Sequence, residues 1–299
     1  MPTSRRQPSF HALILTALLG IVGAVPAHAE DAGGLQARHA ELRESLRNND
    51  FGRAIHIESS ESGDRLAGDV YAVLDHPFKL VSEALKEPSG WCDIMMLPFN
   101  TKYCRARASA SDAAALDVRI GRTPSQPVKD AYRINFVMTR GASSADFFES
   151  SLSAPTGPVG TKDYRIVVSA VPLADGKSFM HLSYSYGYGF AGRVAMQAFM
   201  STAGAGKVGF SRDGKDGNGE PVLIGGTRGA IERNAMRYYL AIDAHLRSLS
   251  APPEQRLDRR IALWFNASER YARQLHEMDR SRYVALKRDD YERAQTELQ

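Results

Sequence analysis

The chain has 299 residues, of which 43% are apolar and 24% are charged, a balance typical of folded globular proteins. Its formal net charge is +4, and the basic residues are interleaved with acidic ones along the sequence. A nucleic-acid-binding protein needs basic residues gathered into a patch or stripe, which this distribution does not provide. We therefore expect no DNA- or RNA-binding function.

The first segment has the features of an export signal. Arg5 and Arg6 precede an apolar run at residues 10–25, and an Ala-His-Ala motif ends at Ala29. This order predicts a secretory signal peptide at residues 1–29 that is cleaved near Ala29. An uncleaved anchor is the alternative, but the run is short for a span of about 20 residues. We expect a periplasmic or secreted protein with no membrane span after cleavage.

Both cysteines, Cys92 and Cys104, fall in the predicted exported part. Two nearby cysteines in an oxidising compartment usually form a disulfide, and closing this loop would stabilise the fold by roughly 3 kcal/mol. A metal site or a reactive thiol is the alternative, but no other His or Cys stands at ligand spacing. The sequence predicts a disulfide, and we expect no metal and no cofactor.

The predicted mature chain begins with a charged helical arm at residues 30–50, in which three leucines share one face. These are Leu35, Leu42 and Leu46. Such a thin stripe is enough to dock a helix on a larger surface.

Residues 51–107 predict two strands and two short helices before a loop. Residues 53–58 and 66–74 flank a polar turn, which predicts a strand–turn–strand unit. Residues 79–85 and 91–97 indicate the two helices, and residues 100–107 a surface connection that carries Cys104.

Apolar and polar residues alternate between residues 116 and 190, and this period of two predicts antiparallel strands with one wet face. The predicted strands are 116–120, 132–138, 164–170 and 179–190. Residues 191–205 fit either a strand or a short helix. Residues 207–227 predict a hairpin whose acidic tip lacks the spacing of an EF-hand calcium loop.

A long amphipathic helix is predicted at residues 229–249, because six apolar residues recur at steps of three and four. They are Ile231, Ala235, Tyr238, Ile242, Leu246 and Leu249. Charged residues such as Arg233 and Asp243 fall largely off this stripe, as a half-buried helix requires. The helix needs a large apolar surface, which the preceding strands can supply.

A second helical stretch follows at residues 254–299, with a seven-residue apolar repeat that fails beyond Met278. The repeat predicts that residues 254–278 pack on the domain or on a partner protein. Residues after Met278 are predicted to be mostly solvated.

The order of strand, two short helices, meander and long final helix resembles the helix-grip fold of the START and Bet v 1-like superfamily. Residues 70–78, with Pro77 before the helix that follows, look like the first strand of that family running into its first helix. Residues 231–249 look like its gripping helix. The resemblance covers residues 53–249 and implies an α+β fold, with a curved antiparallel sheet wrapped around a long C-terminal helix and extra terminal helices.

This resemblance divides the predicted chain into the signal peptide, an arm at 30–50, a helix-grip domain at 51–250 and a helical extension at 251–299. Members of the superfamily hold lipids, sterols or polycyclic compounds between helix and sheet, and some are cyclases or hydrolases. The signal peptide and the terminal helices depart from the pattern of many relatives, so the ligand need not follow the family.

The candidate pocket-lining residues are aromatic, apolar or able to bind an anion, and they lie on predicted inner strands and on the long helix. They are Phe136, Met138, Tyr184, Tyr186, Tyr188, Met236, Arg237, Tyr239 and Leu240. Rings can bury a ligand and hydroxyl groups can orient it, whereas Arg237 could bind a carboxylate or a phosphate. Ordinary core packing and surface salt bridges are the alternative roles of these residues.

The sequence therefore predicts an exported protein that binds a lipid or another hydrophobic small molecule. The alternatives are an interaction protein that docks a partner through residues 254–278 and a cyclase or hydrolase that uses the same pocket. The pair Asp75-His76 would need a second titratable group and a cavity for acid–base chemistry, and the chain has no Gly-x-Ser-x-Gly motif. We do not expect an enzyme.

Overall fold

The computed structural model describes residues 31–107, 113–123, 126–201 and 204–296. The predicted signal peptide lies outside the described residues. The helices are α1 (Ala32–Glu41), α2 (Arg43–Arg47), α3 (Phe78–Lys86), α4 (Pro88–Met95), α5 (Phe190–Ser201), α6 (Gly226–Ser248), α7 (Arg256–Glu269), α8 (Ala272–Leu275) and α9 (Arg280–Thr296). The strands are β1 (Ile55–Ser62), β2 (Arg65–Leu74), β3 (Thr101–Arg107), β4 (Ala113–Ile120), β5 (Tyr132–Ser143), β6 (Phe148–Thr156), β7 (Thr161–Pro172), β8 (Ser178–Tyr188), β9 (Arg212–Lys215) and β10 (Pro221–Leu223).

Strands β1 to β8 form one antiparallel sheet in the order β1-β2-β8-β7-β6-β5-β4-β3. The first hairpin therefore joins the last strand of the meander, and this places the tyrosine-rich β8 beside β2. Strands β9 and β10 form a separate hairpin before α6. The long helix α6 lies on one face of the sheet, here called the inner face, where it contacts β1, β2 and β8. The predicted α+β helix-grip architecture is confirmed.

The close packing of α6 on the sheet depends on Gly68 of β2. A Cβ atom at this position would lie 3.1 Å from the backbone oxygen of Ile231 in α6. The missing side chain lets the helix backbone approach the strand closely, which is a common use of glycine inside a strand.

Helix α6 is buried on all sides, not half-buried as its stripe predicted. Helix α7 packs on the side away from the sheet, and the indole nitrogen of Trp264 donates a hydrogen bond to the backbone oxygen of Arg237 at 3.1 Å. Arg233 and Asp243, which fall off the predicted stripe, are both only 3% exposed. The sequence of α6 could not show this, because the second covering layer comes from the C-terminal extension.

The N-terminal arm packs on the opposite, outer face of the sheet through its three leucines. The residues around them include Tyr71, Phe147, Val171 and Phe179. The guanidinium of Arg38 pairs with the Glu58 carboxylate at 2.9 Å and lies 4.9 Å from the centre of the Tyr71 ring. The arm is thus a fixed part of the outer face.

The predicted disulfide is confirmed. Cys92 in α4 and Cys104 in β3 are bonded, with their Cα atoms 5.2 Å apart.

The prediction of a surface connection at residues 100–107 is wrong, because this segment is the edge strand β3. Strand β6 was also not predicted, since its inward residues include the buried Ser150, which interrupts the apolar alternation.

Most of the described residues after Met278 are exposed, as predicted, but one face of α9 is anchored to the domain. Helix α9 packs against β3, and the Tyr283 hydroxyl donates to the backbone oxygen of Leu97, before that strand, at 2.9 Å. The Lys287 ammonium donates to the backbone oxygen of Thr101 at 2.7 Å. These anchors are polar, so the loss of the apolar repeat did not reveal them.

A buried charge cluster completes the contact of α9 with β3. The carboxylate of Asp290 lies 3.3 Å from the Lys287 ammonium and 3.9 Å from that of Lys102, and it also bonds Arg293. Burial lowers the pKa of Lys287 to about 8 despite this carboxylate. Lys287 of α9 and Lys102 of β3 therefore share this carboxylate.

Replacing Asp290 by Asn should leave the buried Lys287 ammonium without its carboxylate partner. We expect Asp290→Asn to lower the free energy of unfolding by about 3 kcal/mol, because breaking a buried ion pair leaves an uncompensated charge. Urea denaturation measures the change. The matched control is Asp289→Asn, since Asp289 is exposed, and it should shift stability by less than about 0.5 kcal/mol. Equal effects of the two variants would contradict the role given to Asp290.

Candidate functional site

Five aromatic rings meet on the inner face of the sheet and on the facing side of α6. We call this group the tyrosine wall: Phe136, Tyr164, Tyr184, Tyr186 and Tyr238. The rings of Tyr164 and Tyr186 stack at a centroid distance of 5.2 Å, and Tyr184 lies 5.3 Å from Tyr238 of α6. Tyr184 and Tyr186 are 5.9 Å apart, and Phe136 meets Tyr164 edge-on at 6.5 Å. The wall therefore connects three strands and the central helix.

The alternation of β8 puts Tyr184, Tyr186 and Tyr188 on the inner face, because successive side chains of a strand point to opposite faces. Ala154 of β6 pairs with Tyr164 of β7. A Cβ atom at Gly157 would overlap Cε2 of the Tyr164 ring, so the absence of a side chain at Gly157 leaves room for that ring. The wall is thus a consequence of strand register and of one small residue.

The tyrosines differ from their aliphatic neighbours in exposure. Inner-face residues such as Leu152, Ile166 and Leu182 are fully buried, whereas Tyr184, Tyr186 and Tyr238 keep 6%, 7% and 8% of their surface. Both groups are therefore buried, and the tyrosines keep only a small accessible fraction.

The wall carries no charge at neutral pH. Burial is the largest cause that raises the pKa values of Tyr184, Tyr186 and Tyr238, and neighbouring tyrosines raise that of Tyr184 further. The Tyr164 hydroxyl lies 2.9 Å from that of Thr161. These phenols present apolar ring faces together with neutral hydroxyl groups.

Tyr188 lies at the edge of the wall, where its hydroxyl donates to the Glu61 carboxylate at 2.5 Å. Burial and this carboxylate raise its pKa to about 12. Glu61 also accepts a hydrogen bond from the Thr227 hydroxyl at 2.6 Å. Tyr188 therefore joins the end of the sheet to the beginning of α6.

Helix α5 borders the same end of the sheet. Its Gly192 sits so close to Tyr188 that a Cβ atom there would lie 3.1 Å from the Cβ of that residue. Met196 packs against the core, but Phe190 is 84% exposed and Val194 is 50% exposed. An apolar rim thus lies beside the tyrosine wall.

The predicted pocket residues separate into three groups. Phe136, Tyr184 and Tyr186 belong to the wall, with Tyr188 at its edge. Met138, Met236 and Leu240 are buried in the core and are at most 1% exposed. Arg237 and Tyr239 point elsewhere.

The Arg237 guanidinium pairs with the Glu277 carboxylate at 2.7 Å, on the side of the C-terminal extension. Glu277 also bonds Lys207 at 2.8 Å. Tyr239 turns toward β1, where the Arg53 guanidinium lies 5.6 Å from its ring centre. Neither residue is part of the tyrosine wall.

Sequence reasoning missed Tyr164 and Tyr238 as wall residues. Tyr238 is on the predicted apolar stripe of the helix, and that position could have placed it opposite the strand tyrosines. Tyr164 begins the alternating pattern of a predicted strand. The sequence contained both signals, but it did not show the strand order that brings the two tyrosines together.

The Asp75-His76 pair lies near the charged groups of Asp243, Arg247 and Arg53, whose fields act on His76. Asp75 is exposed and pairs with the Lys177 ammonium at 3.0 Å, while burial lowers the pKa of the half-buried His76. Within the ranges that the structure describes, no three His, Cys, Asp or Glu residues are arranged to hold a metal ion. No helix in those ranges is both long and apolar enough to cross a bilayer.

Comparison with known proteins gives structural matches alone. No protein-family model matches the chain, and no curated protein matches it in sequence. A conserved protein from Geobacillus kaustophilus is 11% identical, with 60% of this chain and 95% of that chain covered and a TM-score of 0.37. A norcoclaurine synthase mutant from Thalictrum flavum is 11% identical, with 48% and 89% covered and a TM-score of 0.35. Human STARD10 is 8% identical, with 62% and 80% covered and a TM-score of 0.32.

These neighbours include proteins of the Bet v 1-like and START groups, at low identity. The helix-grip description of this chain rests on its own strand order and on the position of α6.

The raised tyrosine pKa values predict a loss of stability at alkaline pH. A buried phenol whose pKa lies above the unfolded value of 10.0 stabilises the fold fully below pH 10, and this contribution is lost as the pH rises through the folded value. Urea denaturation between pH 9 and about 12 should show declining stability. The double variant Tyr184→Phe/Tyr186→Phe should show a shallower decline. Identical slopes for the two proteins would contradict neutral, buried phenols in the wall.

Proposed function

We propose that the protein is an exported binding protein that holds a lipid or another hydrophobic small molecule at the tyrosine wall, between the sheet and α6. The observation that carries the proposal is the cluster of neutral aromatic rings on the inner face. Tyr184, Tyr186 and Tyr238 pack together there, beside the apolar rim of α5.

The chemistry of the wall favours a neutral, largely apolar guest. Ring faces contribute burial energy of about 25 cal/mol per Å² of apolar surface, and a ligand ring stacked on them adds about 1 kcal/mol. The neutral phenol groups can orient one or two polar atoms of the ligand. The contacts of Arg237 speak against a charged head group held by that residue, because its guanidinium is already paired with Glu277.

Export is supported by the predicted leader at residues 1–29 together with the Cys92–Cys104 disulfide. Disulfides persist mainly in oxidising compartments such as the periplasm or the extracellular space. We therefore propose a periplasmic or secreted location.

We propose that the protein binds its ligand without catalysing a reaction. A general base at neutral pH needs a pKa near 7, and burial moves the phenols of the wall in the opposite direction. The interaction-protein alternative loses its main argument, because Ile261, Trp264 and Leu275 of residues 254–278 are buried within the chain itself.

A neutral fluorescent probe, N-phenyl-1-naphthylamine, tests the site. We expect wild-type protein to bind it, Tyr186→Phe to keep binding, and Tyr186→Ala to bind about tenfold more weakly, which corresponds to roughly 1.4 kcal/mol. The matched control is Tyr71→Ala, which truncates an equally buried tyrosine on the outer face of the neighbouring strand. It should leave probe affinity unchanged.

Circular dichroism and urea denaturation of each variant establish that it is folded. An equal loss of affinity in Tyr71→Ala and Tyr186→Ala, or a wild-type protein that does not bind the probe, would contradict the proposed site.

A further inference from the structure

A second concave site lies outside the helix-grip core. It is a groove of about 690 Å³ between the α2–β1 connection, the segment before β9 and the residues that follow α7. Its volume falls within the roughly 300–1,000 Å³ of small-molecule sites. The arm and the C-terminal extension, which are additions to the predicted grip domain, supply much of its lining.

Three aromatic rings form one wall of this groove. The ring centres of Phe51, Phe210 and Tyr271 are 5.7 to 6.1 Å apart, and their planes are inclined to one another by 42° to 83°. Phe51 and Tyr271 are half-buried, so each keeps an accessible surface. The three rings pack on one another at tilted and edge-on angles, and all three residues line the groove.

The three rings are held in place by polar contacts. The Tyr271 hydroxyl donates to the backbone oxygen of Phe51 at 3.1 Å. The buried Glu232 carboxylate accepts from the backbone N–H groups of Phe210 at 2.6 Å and of Ser211 at 2.9 Å. The aromatic surface is therefore preorganised, which reduces the entropy that binding must overcome.

The rest of the groove is lined by both apolar and polar groups, and Ile55, Ile57 and Leu223 are the apolar ones. Gln274 has no side-chain hydrogen bond to any residue in the described part of the chain, and its carboxamide offers two donors and an acceptor. His56 also lines the groove, and its Nε2 lies 3.3 Å from the Glu58 carboxylate. At the rim, the Arg212 guanidinium and the Asp50 carboxylate are paired at 2.6 Å, so their charges offset each other.

We infer that this groove binds a neutral carbohydrate, with a sugar ring on the Phe51–Tyr271 surface and hydroxyl groups bonded to Gln274. The C–H face of a pyranose is apolar and slightly positive, and it complements the negative face of an aromatic ring. A lipid chain would make no use of the hydrogen-bonding groups of the Gln274 carboxamide. An anionic ligand would find the guanidinium at the rim already paired.

Isothermal titration and saturation-transfer NMR with maltotetraose, cellotetraose and N-acetylated chitotetraose test this inference. We expect at least one of these neutral oligosaccharides to bind, with the strongest saturation at ring C–H protons. Gln274→Ala should weaken binding about fivefold, since one net hydrogen bond is lost. Phe51→Leu, which keeps an apolar side chain but removes the ring, should weaken it about tenfold.

The matched control is Gln255→Ala, because Gln255 is exposed and lies before α7, outside the groove. It should bind like the wild type. The inference is overturned if none of the three oligosaccharides binds at about 10 mM, or if Gln274→Ala and Phe51→Leu both bind like the wild type while they remain folded. Probe binding at the tyrosine wall is measured separately, so failure at one site does not imply failure at the other.

Discussion

The burial of α6 between two layers is the constraint on which the rest of the structure depends. The sheet covers one side and α7 the other, so the buried polar groups on this helix call for partners inside the protein. Asp243 receives two hydrogen bonds from the Arg53 guanidinium at 3.0 and 3.1 Å. Glu232 receives one from the Ser59 hydroxyl at 2.6 Å and two more from backbone N–H groups. These contacts fix the helix in one position relative to the first hairpin.

A helix fixed in this way determines where a ligand can be held. It lies over β1, β2 and β8, while α3 and α4 contact the far strands, and the aliphatic interior between them is closed. Tyr184 packs on Tyr238 in the middle of α6, and Tyr188 lies beside Gly192 of α5. The interior of this protein is therefore better described as a packed core with an aromatic end than as a continuous tunnel.

The terminal helices are additions to the helix-grip domain, and they have a structural role of their own. Helix α7 provides the second layer over α6, and α9 covers the edge strand β3 that the disulfide ties to α4. An uncovered edge strand is open to pairing with other chains, and a covering helix prevents this. The extension thus completes the fold, and together with the arm it forms the second groove.

Local patterns in the sequence predicted the elements whose signals are local. The stripe from Ile231 to Leu249 located the central helix, and the alternation in β8 placed its tyrosines on one face. Features that depend on distant parts of the chain could not be predicted in this way. Burial of Arg233 requires the covering layer, and anchoring of α9 uses Tyr283 and Lys287 without an apolar repeat. Strand β6 was missed because Ser150 faces the core.

The central claim is that the tyrosine wall holds a hydrophobic molecule, and native mass spectrometry of the exported protein tests it most directly. The account predicts a bound species in stoichiometric amount that solvent extraction releases and that lipid analysis identifies. It also predicts that Tyr186→Ala carries less of this species than Tyr71→Ala. A wild-type protein that is empty after purification, and that cannot be loaded with lipids or polycyclic compounds, would contradict it.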